Sequence, residues 1–206
     1  MTGLSDAIKY RRSVRDFTGE TISPRILNDI LEHAIWAPSP KNEQPWSLQV
    51  IGQPQCRELW DFAFMDLSKR FSSGSISSDE WEMASCTIEA MKNAAAACFV
   101  VLDSDYENRN SSSQIWDIQA TDSEVSDLLS LGMLAQNAML RSYELGIGTL
   151  CICDHFAFYD TVARYLNEER PIVLGLLFGK AKRQDVSAEM GATRKPLHVV
   201  SNWKLD

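Results

Sequence analysis

Between Asp127 and Arg141 the chain carries no charged side chain, within a stretch, 122–145, that otherwise reads as one long helix. Leu128, Leu131, Leu134, Ala135, Ala138, Met139 and Leu145 recur at helical spacing but cover more than one face. A helix resting on a surface needs a single apolar stripe. This one needs cover on further sides, so it belongs in the middle of the fold or at a subunit interface. Gly146 ends it as a C-terminal cap.

The remaining elements are shorter. A first helix, with Ser5 and Asp6 at its start and Leu4, Ala7 and Ile8 in register, delivers the run RRSVRDF (11–17) at its end. A second is capped by Ser23 with Pro24 in its first turn. Its stripe is Ile26, Leu27, Ile30, Leu31, Ala34 and Ile35, and Pro38 stops it. PSPKNEQP follows as a rigid polar loop, then WSLQVI as a strand. Pro54 to Arg70 reads as a helix carrying Leu59, Trp60, Ala63, Phe64 and Leu67; SSGSISSDE breaks the chain, and Trp81 to Asn93 is helical again. AAAACFVVLD ends in a buried strand, and GTLCIC and PIVLGLLFG are two more, separated by a short helix near 159–166. The polar stretch 103–121 is expected to be a surface loop. With 206 residues, no repeat and no visible boundary, residues 1–206 are expected to form a single domain.

Composition removes whole classes of function. A net charge of -8 argues against nucleic acid, which needs an extended basic face. No apolar run approaches a membrane span, and the opening MTGLSDAIKY lacks a signal-peptide pattern. Five cysteines, an odd number without framework spacing, suit reduced thiols in a cytoplasm. His33, His155 and His198 are far apart and show no HExxH spacing, so no metal site is expected. Cys151 and Cys153 lie two apart in a strand, on one face, and read as reduced core thiols. The LGIGT turn follows a helix and lacks a third glycine, so it fails as a dinucleotide fingerprint; Walker A and GxSxG sequences are missing as well.

Two stretches remain. Arg11, Arg12 and Arg15 crowd around Ser13 with no acid until Asp16. One reading is a solvated helix end whose cations complement the helix dipole. The other is a phosphate cradle of guanidinium forks and a hydroxyl. In APSPKNEQPW, Asn42 and Gln44 stand between Pro40 and Pro45, either as a proline-stopped connection or as amides offered to a flat heterocycle.

Taken together, RRSVR-x-F, a capped helix, AP-S-x-x-N-x-QPW, then SLGMLAQNAMLRSYELGIGTLCICDHF and RKPLHVVSNW resemble the nitroreductase family of FMN flavoproteins over nearly the whole chain, least in 55–121. The resemblance implies an α+β fold, a three-layer α-β-α sandwich around a mixed, mainly antiparallel sheet, assembled as an intertwined homodimer. It assigns the FMN phosphate and the pyrimidine edge to Arg11, Arg12, Ser13 and Arg15. It places Pro38, Ser39, Pro40, Asn42 and, less centrally, Gln44 against the flavin of the partner subunit. Backbone groups of Ile152, Cys153 and Asp154 would lie near flavin N5, where CICD departs from the glycine or glutamate common in the family. Arg194 and Lys195 would complete the phosphate site, and Lys92 would reach the flavin O2 region.

The implied chemistry occurs at flavin N5 with no catalytic side chain. NADH or NADPH stacks transiently, gives a hydride and leaves, and an electron-poor small molecule such as a nitroaromatic or quinone takes its place. Phe64, Phe71, Trp81 and Trp116 are candidates for a pocket lid. Other readings are reductive dehalogenation, ene reduction or flavin destruction in the same superfamily, and a flavin-binding sensor or storage protein that does not turn over.

Overall fold

The computed structural model describes residues 3–103, 122–153, 156–182 and 194–201. Helices α1 (Leu4–Tyr10) and α2 (Pro24–Ala34) precede a 3-10 turn at Pro40–Asn42 and strand β1 (Trp46–Gly52). Then come α3 (Gln55–Ser72), α4 (Ser78–Met91), β2 (Ala96–Leu102), α5 (Asp122–Glu144), β3 (Gly148–Ile152), α6 (Phe156–Leu166), β4 (Ile172–Gly179) and α7 (Leu197–Val200). The four strands form one sheet in the order β1-β2-β4-β3, each pair antiparallel. Among the described residues, parallel pairing is confined to a bridge between Ser13 and Thr149. That is the only sense in which the sheet is mixed.

Strand periodicity explains why β2 is apolar without interruption. Ala97, Phe99 and Val101 face one core, with Leu59, Trp60 and Leu67 of α3, Ile88 and Met91 of α4, and Phe158 and Val162 of α6. Ala96, Cys98, Val100 and Leu102 face the other, with Ile30 and Ala34 of α2 and Leu131, Leu134 and Ala138 of α5. A strand covered on both faces has no position for a polar side chain. Leu131 and Leu134 are fully buried, each contributing about 1.5–3 kcal/mol of transfer free energy. Helices therefore lie on both sides of the sheet, the α-β-α sandwich expected.

Local signals set the helix ends. The Ser23 hydroxyl accepts from the Ile26 N–H at 3.3 Å and Pro24 occupies the first turn. Ile35, counted with the α2 stripe, lies past the last helical residue and is exposed, as is Trp36. The break before α4 is shorter than expected. Ser77 and Glu80 form a reciprocal capping box, which starts the helix at Ser78 rather than Trp81. Helix α5 is tied to α2 by a two-pronged pair: Arg141 Nε and Nη2 donate to Asp29 at 2.9 and 2.8 Å. Those hydrogen bonds hold the Asp29 carboxyl below its usual range. The outer side of α5 leaves Val125, Leu129 and Met133 exposed. No described helix is long and apolar enough to cross a membrane. Residues 104–121 of the expected surface loop, with Trp116, lie outside the described residues.

Candidate functional site

After α1 the backbone of Arg11 turns to φ −54°, ψ 136°, and RRSVRDF runs extended along the sheet edge. The Val14 N–H donates to the Thr149 carbonyl at 2.8 Å and the Thr18 N–H to the Lys180 carbonyl at 2.9 Å. The Lys182 N–H in turn donates to the Asp16 carbonyl at 3.0 Å. Phe17 is buried in the core and anchors the strip. Two glycines make the approach possible. A Cβ on Gly148 would stand 2.8 Å from Val14 Cγ2, and one on Gly179 would stand 2.8 Å from Phe17 Cδ1. Phe17 and the backbone bonds thus fix the strip from which the arginines project.

The charges converge at the start of the strip. Burial lowers the pKa of Arg11, Cys151 acts the opposite way, and the cations Arg12 and Arg194 lower it further. Arg11 therefore feels Arg194 as a like charge, although the two are distant in sequence. Arg12 Nη1 donates to the carbonyls of Lys9 and Arg11 at 2.8 and 3.0 Å, but its Nε is buried without a hydrogen-bond partner. Leaving a buried donor unmatched costs about 1–3 kcal/mol, more for a charged group. A phosphate oxygen has the charge and lone pairs to satisfy it. Ser13 and Arg15 are exposed on the same strip, and Lys195 is exposed beside Arg194.

The loop 38–44 is built for a defined shape. Ser39 Oγ accepts the Gln44 N–H at 2.9 Å, and Gln44 Nε2 donates to the Asn42 carbonyl at 3.4 Å. Lys41, Asn42 and Gln44 all take positive φ, a conformation that β-branched or bulky residues avoid. Pro38, Pro40, Asn42 and Gln44 are exposed, and Ser39 is half-buried. The turn packs against α5, and its described hydrogen bonds close on itself rather than on the arginine strip.

The other expected positions divide. Ile152 ends β3, buried against Gly175, and its carbonyl already accepts the Tyr159 hydroxyl at 2.7 Å. Lys92 is exposed at the end of α4, 3.8 Å from Glu89. Asp154 lies outside the described residues. Only Cys153 departs from the core reading: it is exposed, whereas Cys151 is half-buried and packs against the core that contains α2 and α5, with the two sulfurs 3.9 Å apart. The strand ends at Ile152, so Cys153 stands beyond the last rung with β4. The proximity of Cys151 to Arg11 was not legible in sequence. Same-face spacing paired the two sulfurs, but nothing in that spacing named the cation beside them. Of the lid candidates, Trp81 stacks on Phe71 at 5.5 Å and meets Phe64 at 5.9 Å, joining α3 to α4.

Comparison with known proteins agrees with this fold. The family described as "Nitroreductase family" matches residues 8–180. A 4-nitrobenzoate reductase of Nocardioides sp. (strain LMS-CY) is 25% identical over 221 aligned residues, covering 97% of this chain and 90% of that protein. Among solved structures, the FMN-dependent nitroreductase of Mycobacterium smegmatis in complex with NADPH superposes with a TM-score of 0.72 at 21% identity, covering 98% of this chain and 97% of that one. A nitroreductase with bound FMN from Desulfitobacterium hafniense gives 0.67 at 18%, with full coverage of both chains. With its arginine strip, its sandwich and the match over most of its length, this chain belongs to the nitroreductase family.

Proposed function

We propose that the chain is a single-domain, FMN-dependent oxidoreductase that draws on NADH or NADPH and reduces small electron-poor acceptors such as nitroaromatics and quinones. The observation that carries this reading is the unmatched Arg12 Nε inside the cluster of Arg11, Arg12 and Arg194. Relatives named as 4-nitrobenzoate reductases support the acceptor class, and structural neighbours described with FMN or NADPH support the cofactors. FMN, when bound, supplies a group that accepts and returns a hydride. Arg11, Arg12 and Arg194 hold its phosphate, with Ser13, Arg15 and Lys195 next to them on the same segments. Their charge favours an anionic cofactor over a neutral one. Arg12 acts through a fixed fork because two backbone carbonyls already orient its guanidinium.

The working unit in this reading is a homodimer, in which Pro38, Ser39, Pro40, Asn42 and Gln44 meet the partner's flavin. Two features support it. Leu4 and Ile8 of α1, Trp36, and Val125, Leu129 and Met133 of α5 are exposed apolar side chains beyond what a monomer covers. The 38–44 loop also holds a shape with three positive-φ residues and, among the described residues, shares no hydrogen bond with the arginine strip. A cytoplasmic location suits five cysteines with no bridge among them.

The test is spectroscopic. Purified protein is expected to be yellow, to release FMN rather than FAD on denaturation, and to lose its flavin colour in stopped flow with NADH or NADPH. Protein that stays colourless after addition of FMN sinks the reading. Bound flavin that neither nucleotide reduces would make the chain a sensor or storage protein.

A further inference from the structure

We propose that Cys151 and Cys153 form a redox-modification site, a dithiol at the end of β3 that small disulfides of the oxidised-glutathione class close into an intramolecular disulfide. Residues two apart on a strand point to the same face, and these two bring their sulfurs to 3.9 Å. A disulfide needs about 2.0 Å, which side-chain rotation and a small backbone shift can supply. The shift is available because the β3–β4 pairing ends at Ile152 and Gly175, leaving Cys153 outside the ladder. The other cysteines lack this arrangement. Cys56 and Cys98 are buried, and burial pushes each thiol up to about 12, which keeps them inert. Cys86 is exposed on α4, and no described hydrogen bond joins it to another thiol.

The chemistry runs in two exchanges. Cys153 is exposed, so its thiolate attacks one sulfur of the external disulfide. That S–S bond breaks, one small thiolate leaves and takes up a proton, and Cys153 carries the mixed disulfide. Cys151 then loses its proton to solvent and attacks Cys153 Sγ. The mixed disulfide breaks and the second small thiol departs. Two cysteine thiols are oxidised and one external disulfide is reduced to two thiols.

The surroundings order these steps. In the resting dithiol, the hydrogen bond to Cys153 and then burial hold the proton on Cys151. Once Cys153 is in the mixed disulfide, its charge is gone and the larger restraint goes with it. Arg11, which favours the Cys151 thiolate, remains alongside.

The experiment uses the purified protein with whatever it binds, incubated with excess oxidised glutathione, alkylated and mapped by mass spectrometry. Wild type is expected to lose alkylation at both Cys151 and Cys153, with the peptide lighter by two hydrogens, and to recover on reduction by dithiothreitol. Cys86 serves as an internal reference that takes an adduct without closing. Cys151→Ser should trap glutathione on Cys153, whereas Cys153→Ser should leave Cys151 unmodified. Continued alkylation of both sulfurs in oxidised wild type, or a persistent glutathione adduct on wild-type Cys153, overturns the proposal. The readout is a peptide mass rather than flavin absorbance: colourless protein that still closes refutes the cofactor reading alone, and yellow protein that stays open refutes this one.

Discussion

A single methyl group added at residue 148 would collide with Val14, and through it with the strip that presents the arginines. Gly148→Ala is therefore expected to destabilise the fold by about 1–3 kcal/mol, as overpacking does. It should also weaken FMN binding. Removing the opposing methyls in a Gly148→Ala, Val14→Ala double variant should recover part of both losses, a coupling read from urea midpoints and flavin titrations. Additive losses would mean that the strip is not held by this contact. Arg12→Ala tests the cradle from the other side. Its Nε is unmatched and only Nη1 bonds to the chain, at the Lys9 and Arg11 carbonyls, so the flavin-free protein should lose no more than about 0.5–1.5 kcal/mol for each of those local bonds. FMN affinity should fall by about 1.5–3 kcal/mol, the worth of a hydrogen bond to a charged group. Titration of apo-protein measures both. Unchanged affinity would return this segment to the role of a solvated helix end.

At the scale of elements, the turn between α6 and β4 is fastened to β1 by one carboxylate. Glu168 accepts from Arg170 Nη2 at 2.8 Å and from Gln49 Nε2 at 2.7 Å, and Arg170 also reaches Asp103 at 3.0 Å. The Arg170 hydrogen bond is the main reason that the Glu168 carboxyl drops from its ordinary 4.5 to about 2. A depressed carboxyl stabilises the fold above its unfolded pKa and loses that contribution as pH falls through the folded value. Stability should thus decline between pH of about 4.5 and about 2 as this group protonates. Glu168→Gln should flatten that part of a plot of urea midpoint against pH while leaving the neutral-pH fold intact. An unchanged slope would show that other carboxylates carry the acid response.

For the whole molecule the decisive question is whether one chain makes a complete site. The arginine strip and the 38–44 loop share no described hydrogen bond, and α5 presents Leu129 to solvent at 61% exposure. An obligate interface over this face should bury more than about 2,000 Å². Mixing Arg11→Ala chains with Asn42→Ala chains should then regenerate one intact site per heterodimer, the other site carrying both lesions. NAD(P)H-dependent activity in the mixture, beyond the sum of the two variants, is the expected outcome. An active, flavin-loaded monomer in sedimentation would show that the two segments serve one chain.

The sequence by itself determined the elements. Ser23 and Pro24 mark the start of α2, the charge-free run after Asp127 marks α5, and the apolar blocks at 96–102 and 172–179 mark strands with no solvent face. These features are local: caps, periodicity and the absence of charge act over a few residues, so the chain states them in order. The arginine run was also legible as a dense cluster of like charge, although its two readings, a solvated helix end and an anion cradle, are not separated by sequence. What the chain could not state is which distant atoms close on them. The approach of Arg194 and Cys151 to Arg11, the unmatched Nε of Arg12, and the fit of Val14 and Phe17 over Gly148 and Gly179 depend on backbone paths that meet only across the sheet. The core reading failed at Cys153 for the same reason. Spacing put both on one face, but whether that face met core or solvent was decided by where β4 stops pairing, a property of the packed sheet rather than of any neighbouring residue.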